Sequence, residues 1–199
     1  MSVAAVILAA GGGSRFNEGD SAAVPGEKLL RLVRGRALVA WAVAPALEAE
    51  LSDVVVVGGA ADLRSVLPTS VSLVQNDRWT TGQASSLHAG LEWCASRGHA
   101  SAVIGLGDMP GLTAKAWRAV ADDPQGPIVF ATYQGVRAHP VRLDAEIWSM
   151  LPSDGDAGAR VLVRKHPELA NEVACDGVPW DVDTRQDLQR WSGDYGTNE

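Results

Sequence analysis

An apolar run opens the chain: Val3 to Ala10 holds eight residues without a polar one, then breaks into Gly11-Gly12-Gly13-Ser14-Arg15. An uninterrupted run suits a strand buried on both faces, as in the middle of a parallel sheet. Val54-Val55-Val56-Val57, ended by Gly58-Gly59, repeats the pattern, and so do Val71-Ser72-Leu73-Val74 and Ala102-Val103-Ile104-Gly105-Leu106. Between these runs the period changes. Residues 36–50 carry Leu38, Val39, Trp41, Ala42, Ala46 and Leu47 mostly at helical spacing, and Leu63 to Leu67 predicts a short helix. Gly82 to Arg97 predicts a longer helix closed by Gly98, and Thr113 to Asp122 a fourth. Alternation of strand and helix argues for a parallel sheet between two helical layers, a three-layer α/β fold.

The second half is less regular. Pro127-Ile128-Val129-Phe130-Ala131 and His139-Pro140-Val141-Arg142-Leu143 predict strands with only Thr132 to Ala138 between them. That is too short for a crossover helix, so the pair is antiparallel or joined across a longer path, and the sheet is mixed but mostly parallel. Helical segments at 144–151 and 157–165 follow, then Asp181-Val182-Asp183 as a last short strand before a helix from about Thr184. No repeat or linker divides the chain. The expectation is one domain over 1–192, with 193–199 as a C-terminal tail.

Composition narrows the function classes. The 199 residues are 46% hydrophobic, enough for one sizeable core. A net charge of −7 argues against a broad nucleic-acid or anionic-membrane surface, so any phosphate site must concentrate its positive charge locally. Cys94 and Cys175 form no C-x-x-C pair, which indicates neither a zinc site nor a disulfide framework. The first apolar run lacks a basic flank and is too short for a membrane helix, and no other run is long enough. A soluble cytoplasmic protein is expected, with the seven tryptophans serving as dispersed core packing.

Candidate chemistry starts at the first loop. Three glycines after a buried strand let the backbone turn sharply and present N–H groups to phosphate oxygens, and Arg15 adds a positive fork; a flexible connector is the alternative. G-x-G-x-x-G fails because its third glycine would fall on Phe16, and Gly26-Glu27-Lys28-Leu29 is not a P-loop. Gly107-Asp108-Met109-Pro110 follows a strand directly, where a carboxylate could hold a hard cation or simply close a turn. Asp181 and Asp183 would share a strand face, although Thr184-Arg185-Gln186-Asp187 outlines a capping box that Asp183 or Thr184 would serve. Asn76 to Leu87 places an amide, Gly82 and Ser85-Ser86 at a helix start, suited to a base or ribose or to ordinary capping by Thr80, Thr81 or Ser85. His139 begins a strand and can meet an acidic or phosphate group, a purely structural strand-start histidine being the alternative. His88, His99 and His166 read as partnerless surface or helix residues, and no Ser-His-Asp or Cys-His arrangement follows from spacing.

Taken in order, Leu8-Ala-Ala-Gly-Gly-Gly-Ser-Arg15, Lys28-Leu-Leu, Asn76-x-x-Trp79-x-x-Gly82-x-x-Ser85-Ser86-Leu87, Gly107-Asp-Met-Pro110, His139-Pro-Val and Asp181-Val-Asp-Thr184 resemble the MobA-like nucleotidyltransferases, closest to the molybdenum cofactor cytidylyltransferases. The resemblance spans roughly residues 3–191. It implies a Rossmann-like mixed sheet and transfer of CMP from CTP to molybdopterin. It implies that Asp108 and Asp183 hold Mg2+ and that Arg15 and Lys28 bind phosphates, Arg15, Lys28 and Asp108 being the catalytic set. Leu8, Ala9, Ala10, Gly11, Gly12, Gly13, Asn76, Gly82 and Ser85 would line the nucleotide, and His139 the acceptor. Ala10 matches the cytidine-using branch, where guanosine-using enzymes tend to carry glycine. Two departures are Arg15-Phe16-Asn17, in place of Arg-Met-Gly, and extra residues between Arg15 and Lys28. GTP or another phosphorylated acceptor is the alternative within the class; an oxidoreductase or a non-catalytic nucleotide-binding partner of a molybdoenzyme is the alternative outside it. A molybdoenzyme or its chaperone is the protein partner the resemblance suggests.

Overall fold

A computed structural model describes residues 2–19, 22–156 and 158–194. In it the apolar runs become β1 (Val3–Ala9), β4 (Asp53–Gly58), β5 (Ser72–Gln75) and β6 (Ser101–Leu106), preceded or separated by α1 (Glu27–Leu30), a small β2–β3 hairpin (Leu32–Val33, Arg36–Ala37), α2 (Leu38–Glu48) and α3 (Gln83–Ser96). The chain continues through α4 (Ala114–Asp122), β7 (Ile128–Tyr133), β8 (Val136–Asp144), α5 (Ala159–Lys165), β9 (Ala170–Ala174) and α6 (Arg185–Asp194).

The seven-stranded sheet runs β5-β4-β1-β6-β8-β7-β9. β1 pairs parallel with β4 and β6, while β8 runs antiparallel to both β6 and β7. Alternation along β1 sorts the core into two layers. Ala5, Ile7 and Ala9 face α2 and α4, packing with Val39, Val43, Trp117 and Val120. Ala4, Val6 and Leu8 face the other side, with Leu87 and Leu91 of α3 and Leu162 and Val163 of α5. The fold is a three-layer α/β sandwich around a mixed, mostly parallel sheet.

Several expectations change. Leu63 to Leu67 is a turn, not a helix: Leu63 alone is fully buried and Pro68 follows at once, so a helical nucleus has nothing to propagate. Asp181-Val182-Asp183 is not a strand; Val182 N–H donates to Asp108 O at 2.9 Å, which ties the segment to the loop after β6. β9 is the strand that the pattern missed. The segment 144–151 winds as a 3-10 helix over Ala145–Met150, and α5 begins at Ala159. β7 and β8 form the antiparallel hairpin. Gly193 and Asp194 end α6 rather than starting a tail, and 195–199 lie outside the described residues. Of the seven tryptophans only Trp117 is fully buried, and Trp180 is 51% exposed. His99 is buried, its ring nitrogens 2.6 Å from Ser2 Oγ and 3.1 Å from Asp53 Oδ2, so it is neither superficial nor partnerless. Among the described residues no helix is long and apolar enough to cross a membrane.

Candidate active site

Strand order reverses at β1, which lies between β4 and β6. In open α/β sheets such a switch point, at the carboxyl ends of the strands, is where ligands bind. The loops leaving β1 and β6 meet there, joined by Gly107 N–H donating to Leu8 O at 2.9 Å. The first loop is glycine-rich because other groups crowd it. A Cβ on Gly12 would stand 3.1 Å from the Trp79 indole, and one on Gly59, just past β4, only 2.7 Å from the Ala10 methyl and 2.8 Å from Trp79 Cβ. Trp79 therefore lies across the loop. Gly11 has open space around it.

Gly26 N–H donates to Gly12 O at 2.9 Å, which seats α1 beneath the loop and carries Lys28 into it. The Lys28 side chain is 8% exposed; its Nζ donates to Asp108 Oδ2 at 2.6 Å and lies 3.8 Å from Asp183 Oδ1. Arg15 reaches the other oxygen of Asp183 at 2.6 Å from a side chain that is 72% exposed. The longer spacing between Arg15 and Lys28 thus does not keep Lys28 from the site. Neither aspartate is spent on a helix start. Thr113 Oγ1 accepts from Ala116 N–H to cap α4, and Thr184 with Asp187 closes the capping box of α6 through bonds of 2.9 and 3.1 Å.

Asp181 joins this group. Burial, then the charges of Asp108 and Asp183, push its carboxyl up to about 6, against the opposing pull of Lys28 and Arg15. Three carboxylates and two cations share one patch. Asp108 and Asp183 already stand around one ammonium, and two hard oxygen donors with room for substrate oxygens fit Mg2+ or Mn2+. Among the described residues, no three or more His, Cys, Asp and Glu side chains form an all-protein cage.

The third cluster is arranged differently. Buried Asn76 donates to Ser85 Oγ and Ser86 Oγ at 2.9 Å each, and its Oδ1 accepts from Arg78 N–H at 3.0 Å. Ser85 Oγ donates back to Gly82 O at 2.9 Å. A buried amide must use its donors within the protein, and here they brace the turn that presents Trp79. Gly82 is the cap residue of α3, without help from the side chains of Thr80, Thr81 or Ser85. A Cβ on it would meet Gly155 O at 2.7 Å, so its bare backbone faces that loop rather than an open base site.

His139 stands out through a slip in register. β7 and β8 pair Phe130 with Val141 but Ala131 with Ala138, leaving His139 and Pro140 extra on β8. The ring, half-buried but crowded by protein, lines a cavity of about 920 Å³. Burial foremost, then the nearby charge of Arg160, push its pKa down to about 4 against the opposing effect of Asp108. It is therefore neutral at pH 7 and sits within electrostatic reach of both the carboxylate patch and α5. The cavity has an apolar floor that includes Leu8, Ile104 and Phe130, and its charged walls include Arg15, Arg137, Arg160, Arg164, Asp156 and Asp181. Arg137 also stacks over Phe130, 5.2 Å from the ring centre.

Residues missed from the sequence fall into two kinds. Arg137 lies two positions from His139, and Arg160 and Arg164 are one helical turn apart, so proximity and period could have found them. Gly59 and the seat of Trp79 have no local signal, because each is defined by its contact with the first loop.

Residues 5–172 match the family model of the MobA-like NTP transferase domain. The chain belongs to the MobA-like NTP transferase family. Nicotine blue oxidoreductase of Paenarthrobacter nicotinovorans is 32% identical to this MobA-like chain over 204 residues, covering 94% of it and 95% of the relative. Rv0371c from Mycobacterium tuberculosis H37Rv superposes with a TM-score of 0.78 at 26% identity, covering 96% and 98% of the two chains. A complex of Rv0371c with manganese gives a TM-score of 0.74 at 24% identity, covering 96% of this chain and 97% of that one. A nucleotidyl transferase from Methanothermobacter thermautotroptrophicus reaches a TM-score of 0.81 at 20% identity over 98% and 97%, a likeness of fold.

Proposed function

We propose that this MobA-like chain transfers CMP from CTP to the terminal phosphate of molybdopterin, using a divalent metal and releasing pyrophosphate. The observation that carries the reading is the cation-bridged pair Asp108 and Asp183 beneath a glycine loop, opening beside the arginine-lined cavity. Arg15 and Lys28 hold the triphosphate. The cavity takes the acceptor, with Arg160 and neutral His139 drawing its phosphate toward the carboxylate patch. An acceptor phosphate oxygen attacks the α-phosphorus; that P–O bond forms, the bond to the bridging oxygen of the β-phosphate breaks, and pyrophosphate leaves with the electron pair. Such transfers depend on positioning and charge neutralisation, so no covalent nucleophile is required. Asp108 and Asp183 would hold Mg2+, which supplies charge neutralisation at the phosphates.

CTP is favoured by Ala10, whose methyl occupies the seam with Gly59 and Trp79 and reduces the room for a purine at that turn. A molybdoenzyme or its chaperone would then receive the product. The name of the Paenarthrobacter relative favours a second reading, reduction or oxidation of an aromatic compound in the same cavity. Phe16 in place of the third fingerprint glycine counts against a nicotinamide dinucleotide on the first loop.

One experiment separates them. Purified protein with Mg2+ is given each of CTP, GTP, ATP and UTP with molybdopterin, and pyrophosphate release is followed; parallel samples receive NADH or NADPH with nicotine blue. Acceptor-dependent pyrophosphate release, fastest with CTP, is expected. Nicotinamide oxidation without pyrophosphate release overturns the transferase reading, and a CTP-to-GTP specificity ratio of one or less overturns the base assignment alone.

A further inference from the structure

Lys28 stands where the proposed metal would have to approach. Its Nζ lies 2.6 Å from Asp108 Oδ2 and 3.8 Å from Asp183 Oδ1, while Arg15 covers Asp183 Oδ2 at 2.6 Å. One oxygen of Asp108 and both of Asp183 are thus engaged by cations of the chain itself. The backbone under Lys28 is fixed by Gly26 N–H to Gly12 O at 2.9 Å and Arg31 N–H to Lys28 O at 3.2 Å. Only the lysine's flexible stem can move. A free divalent ion meets a buried positive charge at hydrogen-bonding distance from its own ligand, in surroundings that screen the repulsion poorly. A polyphosphate alters this balance. It offers Lys28 and Arg15 oxygens carrying more charge than one carboxylate, draws them away, and uncovers Asp108 and Asp183.

We infer that Lys28 is a placeholder cation that makes metal and nucleotide binding interdependent: the site refuses a free divalent ion and admits one only with the phosphates that draw Lys28 off. Linkage then requires the metal to tighten nucleotide binding by the same factor. The inference rests on the reading of Asp108 and Asp183 as metal carboxylates, and its test is independent of turnover.

The probe is Mn2+ alone, titrated into the full chain and followed by water-proton relaxation, which distinguishes protein-bound ion. Wild type is expected to bind it weakly. Lys28→Gln and Lys28→Met are expected to bind it roughly ten- to 150-fold more tightly, the factor for freeing a carboxylate from a charge-assisted hydrogen bond. Asp108→Asn placed on Lys28→Gln is expected to abolish the gain. Adding CTP is expected to raise Mn2+ affinity in wild type by a larger factor than in the Lys28 variants, where only direct ligation by the phosphates remains. Equal or weaker Mn2+ binding in the variants overturns the placeholder. Should a variant be too unstable to titrate, its melting temperature gives the answer: Mn2+ must raise it by more than in wild type, and an equal or smaller rise overturns the inference. Failure of the transferase reading would show separately, as absent pyrophosphate release with the Mn2+ response intact.

Discussion

Replacing Arg15 by alanine is expected to weaken nucleotide binding far more than it weakens the fold. The guanidinium is 72% exposed where it meets Asp183 at 2.6 Å, so water and salt screen the pair. Its loss costs the fold about 0–1 kcal/mol, and at about 2–4 °C per kcal/mol the melting temperature falls by no more than about 4 °C. A triphosphate oxygen held by the same fork loses a charge-assisted hydrogen bond of about 1.5–3 kcal/mol, which weakens binding roughly ten- to 150-fold. Arg15→Lys keeps the charge without the planar fork and is expected to fall between the two. Calorimetry of CTP with Mg2+, paired with a thermal melt of the same preparation, measures both quantities. Affinity within about threefold of wild type, against the tenfold floor above, would remove Arg15 from the phosphate site. A melting drop beyond about 8 °C would show that the exposed pair is structural after all.

Asp108→Asn and Asp183→Asn each replace a charged ligand by a neutral one of the same shape, so turnover at limiting Mg2+ is expected to collapse while the fold persists; wild-type turnover in either would exclude that residue as a ligand. For His139, the unfolded chain takes a proton near 6.5 and the fold resists until about 4, so the unfolded state binds more protons between these values. Wild-type stability is therefore expected to fall as pH drops through that window, and His139→Gln, which has no proton to refuse, to gain on wild type in melts at pH 5 relative to pH 7.5; an unchanged difference would refute the shift. Arg142, 7% exposed, donates to the carbonyls of Ala121 in the last turn of α4 and of Asp123 and Gly126 just beyond it, and lies 3.0 Å from Asp144 Oδ1. Arg142→Met leaves these acceptors without their partner, an expected cost of about 3–5 kcal/mol, or roughly 6–20 °C in melting temperature. A drop under about 2 °C would show that water replaces the guanidinium.

Much of the first half was legible because its elements are written in local periodicity. Val3–Ala9 and Val54–Val57 are apolar on both faces, and the intervening helix carries a continuous buried side. β9 was not legible: Asn171 and Glu172 break any apolar pattern, and only parallel pairing with β7 makes a strand of Ala170–Ala174. Asp181–Asp183 erred the other way: its alternation is real, but Val182 N–H is spent on the loop carbonyl of Asp108 and not on a strand. Asn76 and Ser85 have the chemistry expected of nucleoside ligands, yet burial turned them toward each other.

By itself the sequence determined the sheet strands β1, β4, β5 and β6 and the helices α2, α3 and α4, though not α1 or the β2–β3 hairpin, and most of the residue types able to handle phosphate and metal, because burial period and side-chain chemistry are properties of short stretches. Only the tertiary structure decided that Lys28 lies between Asp108, 80 positions away, and Asp183, that Trp79 crosses the glycine loop, and that a slipped register turns His139 to the cavity. Those juxtapositions arise where loops converge at the carboxyl edge of the open sheet. The contacts are long-range, and no local pattern in the chain specifies which loop will meet which.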